Sequence, residues 1–173
     1  IFNQKTLAAL EELTTDSWQV PFSTRVDAIT NFQYTYADED DLFVEDLVTN
    51  ALNKTSPEVA KIKNVALSEP LLVDRLLNEQ GTVAAINVTV QLPGEDVSEN
   101  PTIVAYVRNM VQEFEKKHPE LQTHLSGLVM LNSAFFEASE KDSATLIPLM
   151  FLAILVTIFI STRTLSGTFA SLL

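Results

Sequence analysis

Cysteine is absent from the 173 residues. That removes disulfides, thiolate metal sites and a cysteine nucleophile, and leaves the redox compartment open. Glycine is scarce, and its four residues are isolated, so no Gly-rich phosphate loop exists. Basic side chains are few, 11 against 23 acidic, for a net charge of −12. Phosphate neutralisation needs clustered Lys and Arg, so nucleic acid is excluded as a partner. Tight docking on anionic lipid head groups is disfavoured for the same reason, and Lys61 and Lys63 are too sparse to reverse either conclusion. No serine sits in a G-x-S-x-G elbow, which leaves a hydrolase triad without support. His118 and His124 lie six apart with no carboxylate at metal-site spacing, so they do not read as a zinc pair. No catalytic, cofactor-binding or metal-ligating residue is assigned, no cofactor is expected, and the chain reads as a non-enzyme.

Charge is also missing locally. Residues 1–142 hold all the acidic side chains and ten of the basic ones, whereas residues 143–173 hold only Arg163. The front is therefore a strongly acidic domain and the back nearly uncharged. Ser143 to Thr162 is a run of 20 residues without a formal charge. At about 1.5 Å per residue a helix of that length spans about 30 Å, the thickness of a bilayer's hydrocarbon core. Its apolar residues, among them Leu146, Leu149, Leu152, Ile154 and Phe159, occupy every face, as in a lipid-embedded helix. A front part of this size could hardly wrap it, and membrane lipid is the expected partner. Arg163 on one flank, opposite Glu137, Glu140 and Asp142 on the other, points the Arg end to the cytoplasm and the acidic domain outward. After Arg163, "TLSGTFASLL" turns apolar again, as a second membrane segment would begin. The opening "IFNQKTLAAL" has neither a signal-peptide pattern nor an initiating Met, so the chain reads as a piece of a longer polypeptide.

The front part alternates helix and strand signals. Asn3 caps a first helix with Leu7, Leu10 and Leu13 or Thr14 on one face. "RVDAITNFQYTY" alternates as a single strand, interrupted only by Thr30. "ADEDD" turns the chain, and "LFVEDLV" returns as its hairpin partner. Ser56-Pro57-Glu58 starts a helix with Val59, Ile62 and Ala66 on one face, closed by Pro70. "TVAAINVTVQL" places Ala84, Ile86, Val88, Val90 and Leu92 on one face of a strand. Asn100-Pro101 opens a helix with a Val104, Val107, Val111 and Phe114 stripe, ending near Lys116, Lys117 and His118, where positive charge suits the helix dipole. "LQTHLSG" reads as a short strand. Strand, helix and strand in this order predict a parallel βαβ unit and an α+β sandwich of ferredoxin-like type, whose symmetry a strand before the first helix would complete. From about Leu128 to Ile160 nothing stops a helix except Pro148, which membrane helices tolerate. The expectation is one rod of about 33 residues and about 50 Å, able to couple the two compartments mechanically. The expected domains are 1–127 (α+β), 128–163 (long helix) and 164–173 (the start of a further membrane segment).

Other candidates read as structure. Asp38, Glu39, Asp40, Asp41, Glu45 and Asp46 lack the Gly and the ligand spacing of an EF-hand, so a solvated hairpin tip is preferred to a calcium site. Asn53-Lys54-Thr55 and Asn87-Val88-Thr89 match the glycosylation sequon, but Asn87 falls in an expected strand. Trp18, Phe22 and Phe32 could line a pocket for a greasy ligand, and core packing is preferred.

Three stretches resemble the RND superfamily, specifically its MMPL-like or hydrophobe/amphiphile exporters. "LAALEELTTDSWQVPFSTRVDAITNFQ" is similar to the first porter helix and a following V-x-S-[IL]-T-N strand, with Ala28 at the serine. "LLVDRLLNEQGTVAAINVTVQLP" is similar to the strand segment L-[IV]-S-x-D-G-x-[AT]-x-[IV], with Asn78-Glu79-Gln80-Gly81 in place of Ser-x-Asp-Gly. "LSGLVMLNSAFFEASEKDSATLIPLMFLAILVTIFISTRTLSGT" resembles the segment leading into the second membrane helix, with Thr162-Arg163-Thr164 at the family's F-R-S. The resemblance covers nearly the whole chain. It implies the first periplasmic porter domain and second transmembrane helix of a proton-driven exporter of lipidic or amphiphilic compounds in a bacterial inner membrane. The implied partners are the remaining membrane helices and second porter domain of the parent, a lipid-like substrate and, as an open option, further copies of itself. The family's proton-carrying acids lie in a later membrane helix, and residues 143–162 contain no Asp or Glu. The competing reading is the extracytoplasmic ligand-sensing domain of a membrane receptor.

Overall fold

The structure, a computed structural model, describes residues 1–39 and 41–163. Two compact units are present, Ile1–His124 and Leu125–Leu173.

The first unit is α+β. Helix α1 (Gln4–Ser17) begins where Asn3 Oδ1 accepts the Thr6 amide at 2.9 Å, filling one of the donors a helix start leaves unpaired. It buries Leu7 and Thr14. Strand β1 (Ser23–Asp27) follows, then β2 (Gln33–Asp38) and β3 (Asp41–Asp46). The single strand expected over 25–36 is thus two strands. Asn31 divides them, because its Oδ1 accepts from the Ala28 amide and its Nδ2 donates to the Val26 carbonyl, both at 2.8 Å. These side-chain bonds offer the backbone an alternative to the ladder. They turn Ala28, Ile29 and Thr30 into the interior, where Thr30 Oγ1 lies 2.8 Å from Thr14 Oγ1 on α1.

β2 and β3 form the expected antiparallel hairpin, with Tyr36 opposite Phe43 and Tyr34 opposite Glu45. Asp40, at its tip, lies outside the described residues. Helix α2 (Ser56–Ser68) starts with a capping box. The Glu58 carboxylate accepts from the Thr55 amide at 2.7 Å and the Thr55 hydroxyl at 2.6 Å. The Val59, Ile62 and Ala66 stripe is buried as its spacing requires.

Strand β4 is short (Asn87–Val90) and forms an antiparallel ladder with β1, pairing Val88 with Val26. Half-buried and exposed positions alternate from Ala84 to Val90, but Leu92 is exposed. Helix α3 (Glu99–Lys117) buries Ile103, Val104 and Phe114 and ends on two lysines. Residues 121–126 carry no strand. The expected βαβ unit therefore does not close: among the described residues α3 has a strand before it and none after it, and β4 has an antiparallel partner. Among the described residues the named strands make two two-stranded antiparallel sheets, β1–β4 and β2–β3. The α+β class stands, whereas the sheet order of a ferredoxin-like sandwich is not present in them.

The core gathers Leu7, Ile29, Leu47, Val48, Ala51, Val59, Ile62, Ala66, Leu72 and Leu77. Burying a leucine such as Leu7 stabilises by about 1.5–3 kcal/mol. Gly81 sits at φ +65°, and a Cβ there would lie 2.8 Å from the Phe2 ring. Asn78 closes this turn by accepting the Thr82 and Val83 amides at 2.8 Å. The Asn-x-x-Gly at this point is thus a packing requirement. Trp18 is 49% exposed and Phe22 is 38% exposed, so neither is the core residue the composition favoured. Phe32 does pack against the core.

The second unit is dominated by α4 (Leu128–Thr162), 35 residues in one helix running through Pro148. At about 1.5 Å per residue it is about 52 Å long. Gly127 precedes it at φ +115°, and Arg163 ends it at φ 52° with its amide on the Phe159 carbonyl at 2.8 Å. This left-handed cap is usually glycine's. The further membrane segment expected over 164–173 lies outside the described residues.

Candidate functional site

The feature with the clearest chemical demand is the surface of α4. None of its most apolar stretch is buried. Leu146, Leu149, Phe151, Leu152, Ile154, Phe159 and Ile160 are all exposed. A helix apolar on every face needs an apolar solvent. Length and composition suffice to cross a membrane, since Leu128–Ser161 forms one candidate span. Two hydroxyls within it are internally satisfied, as Thr145 Oγ1 donates to the Lys141 carbonyl at 2.9 Å and Thr157 Oγ1 to the Ala153 carbonyl at 2.8 Å.

In the first unit, polar groups cluster where α1 meets the end of α3. Lys117 Nζ lies 2.5 Å from Glu12 Oε1, and His118 Nε2 lies 3.3 Å from Glu12 Oε2. The His118 ring packs on Phe114, 4.7 Å between centroids. The Lys117 hydrogen bond, followed by that of His118, holds the Glu12 carboxyl below its ordinary range, and Glu12 in turn raises Lys117. An open cleft of about 250 Å³ beside them is lined by Glu12, Asp16, Tyr106, Met110, Glu113 and Lys117. A second, of about 350 Å³, lies between the start of α1 and α2 and is lined by Phe2, Gln4, Ser56, Val59 and Lys63. Trp18, Phe22 and Phe32 line neither of these clefts.

A second polar device opens α3. The Glu99 carboxylate, 8% exposed, accepts the amides of Gly94, Glu95 and Asp96 at 2.8–3.0 Å. Those bonds, Gly94 first, lower its pKa. Glu99 fixes the loop that the sequence leaves as "PGEDVSEN". A glutamate three residues after an Asp in a Gly-containing loop is the signal that would have found it.

His118 is held by Glu12, whereas His124 is exposed on the segment after α3. Among the described residues no group of three or more His, Asp and Glu is placed to hold a metal. Glu39, Asp41, Glu45 and Asp46 are exposed on the hairpin, as a solvated tip requires. Asn53 and Asn87 are both exposed, Asn87 within β4.

An acidic α+β unit followed in the chain by a membrane-length apolar helix defines a membrane-associated protein. A family model described as the MMPL family matches residues 4–171, and the chain belongs to that family. Members of the family are transporters. No curated protein and no solved structure matches the chain.

Proposed function

We propose that this chain supplies the first periplasmic porter domain and the second transmembrane helix of an RND-type exporter of lipidic or amphiphilic compounds, proton-driven as a whole. Residues 1–127 would border the substrate path in the periplasm. Residues 128–163 would cross the bacterial inner membrane as the coupling helix, and residues 164–173 would lead into a further segment. The observation that carries this reading is α4, a single 35-residue helix with a charged stretch over residues 137–142 and an apolar, uncharged run from there to its end. Residues 143–162 contain no Asp or Glu, so in this reading the proton-carrying acids belong to other helices. In this reading the α+β unit takes its place in a ferredoxin-like porter sandwich of the parent. The partners are its remaining helices, its second porter domain and the transported amphiphile, with self-association permitted.

Topology is the test. The absence of cysteine makes single-cysteine reporters unambiguous. Val97→Cys in the chain inserted in a bacterial inner membrane is expected to react with a membrane-impermeant maleimide from the periplasmic side. Thr164→Cys is expected to react only after permeabilisation. The opposite pattern, or proton-linked transport by the 173-residue chain alone in liposomes, would sink the assignment.

A further inference from the structure

The β2–β3 hairpin is a sheet of two strands, and β3 pairs with nothing but β2 among the described residues. All six residues of β3 are exposed. The Leu47 amide donates to the Phe32 carbonyl at 2.8 Å, which fixes the phase of the ladder. In an antiparallel pair, hydrogen-bonded and non-hydrogen-bonded positions alternate. The pairs Leu42–Ala37 and Val44–Thr35 are then non-hydrogen-bonded, and the N–H and C=O groups of Leu42 and Val44 point away from β2. Their side chains share one face with Thr35 and Ala37, and all four are exposed, Leu42 at 71% and Val44 at 57%. The opposite face is stiffened by a stacked row, with Tyr34 to Tyr36 and Tyr36 to Phe43 each 5.5 Å between centroids and Lys61 Nζ 5.0 Å above Tyr36. The result is an ordered strand with an open edge and an uncovered apolar face, the template that a further strand extends.

Charge decides what covers it. Residues 38–46 contain six carboxylates and no base. Edge strands are commonly protected by lysine, and here protection is acidic. A second copy would set six carboxylates against six, inside a chain already at −12, and like charges directly across a ladder destabilise it. We propose that the β3 edge is a docking site for an extended, basic and apolar segment of another polypeptide, which adds as a third strand. Its backbone would pair with Leu42 and Val44, its apolar side chains would cover the face of Leu42 and Val44, and its Lys or Arg side chains would meet Asp41 and Glu45 on the other face, with the Asp46 carboxylate adding to the negative field at the strand end.

The test uses the full chain in nanodiscs of zwitterionic lipid and a labelled alternating Lys-Val peptide of about eight residues, read by fluorescence anisotropy. The expected result is saturable binding at least ~10-fold tighter than for the same peptide N-methylated at alternate amides, which keeps its charge but cannot join a ladder. An alternating Glu-Val peptide is expected not to bind. Neutralising the edge with Asp41→Asn, Glu45→Gln and Asp46→Asn should weaken Lys-Val binding by about 10-fold. Val44→Pro removes an outward N–H and should abolish it, with the Tyr34 and Tyr36 ring signals reporting that the hairpin persists. Equal affinity for the N-methylated peptide, or no binding, would overturn the proposal. So would concentration-dependent self-association of the chain that Val44→Pro removes, because the occupant would then be a second copy.

Discussion

Lys117, in the last turn of α3, reaches Glu12 near the end of α1 across 105 positions of sequence, with Nζ 2.5 Å from Oε1. The pair ties the last long helix of the first unit to the first one. Both side chains are well exposed, so water and salt screen it.

The pair has a defined pH window. Glu12 is lowered from its ordinary 4.5 by the Lys117 and His118 hydrogen bonds. Its contribution is complete above about pH 4.5 and is lost as pH falls through the lower, folded-state value. Lys117 is raised from its ordinary 10.5 by Glu12, so its contribution holds below 10.5 and is lost as pH rises through the higher value. Thermal unfolding of the first unit should therefore lose this term only at the two extremes. Glu12→Gln is expected to destabilise at pH 7 by no more than about 1 kcal/mol and to flatten the acid limb of the stability curve. A larger loss at neutral pH, or an unchanged acid limb, would count against the assignment.

Leu7 is fully buried against Ile29, Ala51 and their neighbours. Leu7→Ala is expected to destabilise the first unit by about 2–5 kcal/mol through lost transfer energy and the cavity left behind. Urea unfolding of the wild type and variant, with unchanged dependence on denaturant, measures it.

Ile154 sits mid-run on α4, exposed, within the uncharged stretch. Ile154→Arg is expected to disfavour membrane insertion by about 2.5–3.5 kcal/mol, read as an increased fraction extracted by alkali. Ile154→Leu should insert as the wild type does. Equal extraction of all three would mean that lipid is not the solvent of this helix.

How much of this was legible in the sequence depends on the range of the interaction. The Asn3 cap, the Val59, Ile62 and Ala66 stripe, the β2–β3 hairpin and the length of α4 all rest on neighbours within a few residues, and each is where its pattern puts it. The βαβ reading failed because β4's partner, β1, lies about 60 residues upstream in the opposite direction, and alternation carries no information about pairing. The split at Asn31 escaped because side-chain bonds to Ala28 and Val26 override an alternating pattern that continues across them. The Glu12, Lys117 and His118 cluster joins distant segments, and only the α3 end of it, as dipole-matched charge, was visible in advance.

Pro148 has no amide to give, so the α4 ladder lacks the rung that would have reached the Ala144 carbonyl. That gap falls five residues into the uncharged run that begins at Ser143. Any bend imposed on the rod would concentrate at that weakened turn rather than spread along its length. The charged stretch over residues 137–142 and the apolar remainder are thereby given separate axes to tilt about, with a built-in joint between them.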